Sequence, residues 1–158
     1  MLEQHECYRA IKPVNIGPVL AVLDRLPFFH AQHNGNYQGT LACDVVLADK
    51  FPPEINAFIE GLELGGKRGR AIIRRLDPRQ NIPVHTDEWM PGEINWRRFQ
   101  IPITSHPDIV MSWPDDGASV HLEPGWLYEV RYDRPHEVVH GADVSRVHLQ
   151  VDQIDATI

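Results

Sequence analysis

Residues Pro135 to Asp152 read PHEVVHGADVSRVHLQVD, and two incompatible structures can be laid over them. On a helix, His136-Glu137-Val138-Val139-His140 is the zinc-peptidase signature H-E-x-x-H, because residues four apart share a helical face. As strand, turn and strand, the same stretch puts His136 on one strand and Arg146, His148, Gln150 and Asp152 along one face of the next. Val147, Leu149 and Val151 then take the opposite face. The residues favour the strands. Pro135 and Gly141 bracket the motif and leave room for barely one helical turn, while Val138-Val139 prefers extended backbone. No glutamate follows Glu137 to complete a zinc site, and the longer H-E-x-x-H-x-x-G-x-x-H form would need glycine where Asp143 stands and histidine where Arg146 stands.

Outward from this stretch, short β runs follow one another from Arg70: Arg70 to Leu76, Ile82 to Thr86, Trp96 to Thr104, Ile109 to Trp113, Ala118 to Leu122, Trp126 to Tyr132, His136 to His140 and Arg146 to Gln153. Turn residues separate them, among them Asp77-Pro78, Pro91-Gly92, Asp115-Asp116-Gly117 and Pro124-Gly125. Before them, Ile16 to Leu26 has helical periodicity with Asn15 as its cap. Pro52 to Leu62 forms a second amphipathic helix that stops before Gly65-Gly66. A polar loop, Phe28 to Gly39, and a strand, Thr40 to Leu47, lie between them. The expected fold is mainly β (α+β), an eight-strand roll with two N-terminal helices packed outside. Residues 1–66 would supply the helices and a lid loop, and residues 67–158 the core. Alternation on Trp96 to Ile103 opposes Arg98 and Gln100 to Phe99, Ile101 and Ile103, so the polar faces meet either water or a central pocket.

The chain has 158 residues, which suits one domain, and a formal charge of -7, which argues against a general nucleic-acid or anionic-membrane binder. Lys67, Arg68, Arg70, Arg74, Arg75 and Arg79 form one basic cluster, read as solvated arginines at a strand edge because no aromatic residues interleave with them. Cys7 and Cys43 are far apart and make no disulfide framework or cysteine metal site. Charged and polar residues follow Met1, and no apolar run approaches a membrane span; a cytoplasmic location is the expectation.

His85-Thr86-Asp87 ends a predicted strand. In extended backbone i and i+2 share a face, so its imidazole and carboxylate converge. A second histidine from a pairing strand would complete two imidazoles and one carboxylate on one face of an octahedron, with three positions open, the arrangement of non-haem iron(II) oxygenases. His136 is the candidate.

From about Arg70 to Asp152 the chain resembles the aspartyl/asparaginyl β-hydroxylase family of iron(II)- and 2-oxoglutarate-dependent dioxygenases. The resemblance is carried by an ordered series: Leu76-Asp77-Pro78, Ile82-Pro83-Val84-His85-Thr86-Asp87, Arg98-Phe99-Gln100-Ile101-Pro102-Ile103, Leu122-Glu123-Pro124-Gly125-Trp126, His136, and Arg146-Val147-His148-Leu149 with Asp152. It implies a double-stranded β-helix (jelly roll, cupin-like). It also implies iron(II) held by His85, Asp87 and His136, 2-oxoglutarate as cosubstrate with its distal carboxylate on Arg146, and O2 as oxidant. Succinate and CO2 would leave as a C–H bond of an amino acid, small molecule or peptide side chain is hydroxylated. Arg98 and Gln100 fall where the family lines the oxoacid end of the cosubstrate, and His148 shares a face with Arg146. Gln100 stands where the family often has histidine, and His140 where asparagine is common. A cupin-like metal- or small-molecule-binding module without turnover is the alternative from another class; an inward Arg146 would have no anionic partner in it. His5, His30, His33, His106 and His121 are read as loop or surface residues, and Trp89 as a border of the substrate entrance. Oligomeric state stays open.

Overall fold

A computed structural model describes residues 4–33, 41–87 and 95–158. Twelve strands are formed among them: β1 Gln4–His5, β2 Tyr8–Pro13, β3 Phe29–His33, β4 Leu41–Leu47, β5 Lys67–Leu76, β6 Ile82–His85, β7 Trp96–Thr104, β8 Ile109–Trp113, β9 Ala118–Val120, β10 Trp126–Val130, β11 His136–His140 and β12 Arg146–Ile154. The helices are α1 Gly17–Val22, extended by the 3-10 turn Leu23–Arg25, and α2 Pro53–Gly61. Proline opens each helix, where a missing N–H leaves no bond unmade. Asn15 Oδ1 accepts the Gly17 N–H at 3.0 Å ahead of α1. Beyond α2 the chain reverses through Gly65 and Gly66 at φ +74 and +62, a region that L side chains enter at a cost.

All strand pairs are antiparallel. A large sheet runs β1-β2-β10-β7-β12-β5-β4-β3 and a small one β6-β11-β8-β9. Both helices lie on the outer face of the large sheet. There Val19, Val22, Ile55 and Ile59 pack against Ile73, Phe99, Ile101, Val147, Leu149 and Val151. On the opposite side two smaller apolar clusters join the sheets, one around Leu76, Ile82, Ile109 and Val138, the other around Tyr8, Met111, Trp113 and Tyr128. The alternation on β7 and β12 thus resolves in favour of a pocket: the apolar residues meet the helices, and Arg98, Gln100, Arg146 and His148 are buried on the other side.

Three expectations are corrected. Residues 4–33 contribute β1, β2 and β3 as well as α1, so the segment expected to be helix and loop supplies large-sheet strands, and the strands number more than eight. β2 depends on a distant partner, β10, and β3, which pairs with the next strand β4, is masked by a short, mostly polar sequence (FHAQH) without clear apolar alternation. Phe29–His33 is strand rather than loop; residues 34–39 of the expected lid, with Trp89 and the Pro91-Gly92 turn, lie outside the described residues. β5 is not an edge, because β4 and β12 flank it. No helix among the described residues is long and apolar enough to cross a membrane.

Candidate functional site

Strand pairing brings the first two site residues together. β11 and β6 align with His136 directly opposite His85, and their ring centroids are 4.2 Å apart. In each ring Nδ1–H donates to a backbone carbonyl two residues earlier, His85 to Pro83 at 2.8 Å and His136 to Arg134 at 2.7 Å. A carbonyl can only accept, so Nδ1 carries the proton in the neutral ring and Nε2 is the nitrogen with ligating character, turned in both rings toward Asp87. Asp87 follows β6, its backbone N–H held by Tyr132 O at 3.0 Å. Its Oδ1 is 3.7 Å from His85 Nε2 and its Oδ2 3.6 Å from His136 Nε2. The three donor atoms all lie within 4.8 Å of one another, spacing that suits one ion. Among the described residues this is the cluster that meets such spacing, and His140 is outside it.

Two of the donors, His85 and Asp87, are in the right protonation state for a cation. Burial and the neighbouring His136 push the His85 imidazole down to about 4 against a weaker opposing bond to Pro83, so it is neutral at pH 7. Burial works against ionisation of Asp87, but its close contact with His136 and the charge of Arg98 outweigh it and hold the carboxyl well below its usual range.

Facing this cluster, the inner side of the large sheet is laid out in rows by its register. Arg74, His148 and Pro102 are cross-strand neighbours, as are Ile72, Gln150 and Gln100, and Asp152 stands opposite Arg98. Of these, Ile72, Arg74, Arg98, Gln100, His148 and Gln150 join Leu47, Ile82, Met111 and Val138 around a cavity of about 500 Å³ that also reaches the His85, Asp87 and His136 cluster. Arg98 donates from Nε to Asp152 Oδ1 at 2.7 Å and from Nη2 to Asp152 Oδ2 at 2.9 Å, and its Nη1 donates to Asp87 Oδ2. The two carboxylates raise its affinity for the proton against the effect of burial.

Next to that pair, the Gln150 amide is satisfied with its oxygen toward Arg98, 3.2 Å from both Nε and Nη2, and its NH2 toward Gln100 at 3.2 Å. The Gln100 amide lies 3.1 Å from His148 Nδ1. Because a guanidinium only donates, the direction of this chain is set at Arg98: Gln100 presents its oxygen to Gln150 and its NH2 to His148 Nδ1, so the neutral imidazole carries its proton on Nε2. His148 Nε2 has no hydrogen-bond partner among the described residues. Burial, then the charge of Arg146, lowers the ring well below its ordinary value of 6.5.

Arg146 is buried and forms no ion pair among the described residues. Burial and the adjacent Arg74 push its guanidinium down to about 9. Arg74 and Arg70 also line the cavity, and neither was read as a site residue from the sequence. The signal was present: Arg70, Ile72 and Arg74 alternate with Ala71 and Ile73, which are buried under the helices. His140 takes a different role: its Nδ1 accepts the backbone N–H groups of Arg79 and Ala142 at 3.3 Å each, bracing the turn after β11. Glu137 shares the less buried face of β11 with Val139, away from the histidines. Of the remaining histidines, His30 and His106 are exposed beside Asp44 and Asp108, and His121 donates to Ile109 O at 3.0 Å.

No family model and no curated protein matches the sequence. Solved structures do match. An oxidoreductase of the 2OG-Fe(II) oxygenase family from Burkholderia pseudomallei superposes with a TM-score of 0.66 at 13% identity, over 93% of this chain and 84% of that one. A Pseudomonas putida prolyl-4-hydroxylase gives 0.64 at 16% identity, over 93% and 91%. A predicted oxalate decarboxylase from Thermotoga maritima gives 0.51 at 10% identity, over 81% and 94%. With two antiparallel sheets enclosing a polar cavity, the chain has the double-stranded β-helix, jelly-roll fold that it shares with these proteins.

Proposed function

We propose that the chain is an iron(II)- and 2-oxoglutarate-dependent dioxygenase that hydroxylates a C–H bond of an amino acid, another small molecule or a peptide side chain. One observation carries this reading: a single cavity holds both a two-histidine, one-carboxylate cluster and a buried arginine without an ion pair among the described residues. The donor set fits the metal, since two imidazole nitrogens and one ionised carboxylate within reach of a single ion suit iron(II) and leave coordination positions open. The names carried by the Burkholderia and Pseudomonas neighbours support the same chemistry. The aspartyl/asparaginyl β-hydroxylase series in the sequence supports a position near that family within it.

In this reading His85, Asp87 and His136 hold iron(II). Arg146 donates two parallel hydrogen bonds to the distal carboxylate of 2-oxoglutarate, which lysine could not copy. His148 Nε2–H donates beside it. Arg98 supports Asp87 and Gln100 orients His148, and both line the cavity in which the cosubstrate would lie. When bound, the iron supplies O2 activation coupled to conversion of 2-oxoglutarate to succinate and CO2, with one oxygen atom entering the substrate. Ile72, Ile82, Met111 and Val138 give the cavity apolar walls that keep bulk water from the reacting groups. A cupin-like binding module without turnover would leave Arg146 unpaired, so that residue favours the oxygenase. The net charge of -7 supports a small-molecule or peptide substrate over nucleic acid or an anionic membrane, and a cytoplasmic location is part of the same proposal.

The test is spectroscopic and chemical. Protein given iron(II) and 2-oxoglutarate without oxygen is expected to show a weak visible charge-transfer band, and in air to release succinate; His136→Ala is expected to lose both. Iron-loaded protein that gives neither signal, or a His136→Ala variant that keeps them, would overturn the assignment.

A further inference from the structure

We propose that Asp152, acting through Arg98, is the positioning residue for the carboxylate of the metal-binding cluster. The inference rests on the reading of His85, Asp87 and His136 as metal ligands. Each histidine of that cluster has its ring locked by a backbone carbonyl, at 2.8 Å for His85 and 2.7 Å for His136. The corresponding hold on the Asp87 carboxylate is a side chain, Arg98 Nη1 on Oδ2. A single flexible arginine would hold it poorly. Arg98 is made rigid by Asp152, which accepts from Nε at 2.7 Å and from Nη2 at 2.9 Å, a two-point pairing that fixes the plane of the guanidinium and therefore the direction of Nη1.

The fold commits to this arrangement. Asp152 is 2% and Arg98 6% exposed, so both charges are withdrawn from water, a burial that destabilises unless the geometry is good. They stand directly opposite each other on β12 and β7, inside the large sheet, while Asp87 follows β6 of the small sheet. The link therefore ties the cluster's carboxylate to the opposite wall of the cavity. The Tyr132 ring lies 4.7 Å from the centre of the guanidinium, and Arg70 Nη2 makes a second contact to Asp152 Oδ2 at 3.3 Å, which further restricts the pair. Neutralising Arg98 would need one carboxylate; the second gives the guanidinium a fixed orientation.

The experiment measures Mn(II) binding to the full chain by electron paramagnetic resonance, without cosubstrate, together with the visible spectrum of the Co(II)-loaded protein. Asp152→Asn keeps the side-chain shape and removes the charge. It is expected to weaken Mn(II) about 10–100-fold and to alter the Co(II) band intensities, the range seen when a group supporting a metal ligand is lost. Arg98→Lys keeps the charge and removes the fork, and it is expected to weaken Mn(II) by a similar factor, which supplies the test if Asp152→Asn does not fold. Asp152→Glu, which restores the carboxylate, should recover part of the affinity. Mn(II) affinity within twofold of the parent in a folded Asp152→Asn or Arg98→Lys protein, with an unchanged Co(II) spectrum, would overturn the positioning role while leaving the metal cluster standing. If His136→Ala binds Mn(II) as the parent does, the metal-cluster reading fails first, and the positioning role fails with it.

Discussion

The two faces of β12 come from alternate residues of one nine-residue strand, and their energetics differ in kind. Val147, Leu149 and Val151 lie under the helices, where each fully buried aliphatic side chain stabilises the fold by roughly 1.5–3 kcal/mol. The opposite face buries Arg146, His148 and Asp152, with Gln150 partly covered, and compensation along it is uneven. Among the described residues Asp152 has a two-point ion pair with Arg98, Gln150 has amide and guanidinium partners, His148 has one partner and none at Nε2, and Arg146 has no ion pair. The gradient runs from polar groups that the fold satisfies by itself to the guanidinium that the proposed function pairs with an anionic cosubstrate.

The contrast is broken most forcefully from the apolar side. Leu149→Ala should lower stability by about 2–5 kcal/mol through lost burial and a residual cavity. Below its melting transition it should still bind Mn(II) and 2-oxoglutarate, because Leu149 touches the helices and not the cavity. Urea denaturation with parallel ligand titrations checks both halves. From the polar side the sign reverses. Arg146→Met removes a buried charge that lacks an ion pair and should raise the stability of the ligand-free protein by about 1–4 kcal/mol. The same change should weaken 2-oxoglutarate by roughly 2–4 kcal/mol, the loss expected when one partner of a buried charged pair is truncated. A less stable Arg146→Met protein would mean that the fold already compensates the guanidinium, and the gradient would be wrong.

How much of this could be read from the sequence follows the same division. Period-two alternation gave β7, β8, β11 and β12 and sorted the residues of β7 and β12 by face, because a one-residue slip would turn buried valines outward. His85, Asp87 and His136 were legible because their spacing has a chemical meaning that extended backbone makes geometric. β2 was not, since its reason for being a strand is a partner distant in the chain, and β3 was hidden because its mostly polar residues show no clear alternation. Arg70 and Arg74 looked like solvated charges because the alternation of β5 does not say which side of a sheet is closed by a second sheet. Asp152 could be placed on the inward face, but its pairing with Arg98 depends on the β7–β12 register, which no single strand encodes.

A smaller effect probes the middle of the gradient. The His148 ring ionises well below 6.5 when folded, burial being the main cause and Arg146 the next, whereas in the unfolded chain it ionises near its ordinary value. As pH falls through about 6.5 the unfolded chain takes up a proton that the folded one refuses, so the balance shifts toward unfolding. The contribution of His148 is therefore complete above that pH and is lost progressively below it. His148→Gln cannot titrate and keeps an amide that can meet Gln100, so its stability should fall less steeply with acid, by up to about 1.4 kcal/mol per pH unit. Urea midpoints measured from about pH 7 down to pH 5 read the difference directly. His85 and His140 are shifted in the same direction and will leave a residual slope. Parallel slopes for parent and variant would mean that His148 already shares its proton with the folded cavity, which would move it from the unsatisfied end of β12 to the satisfied one.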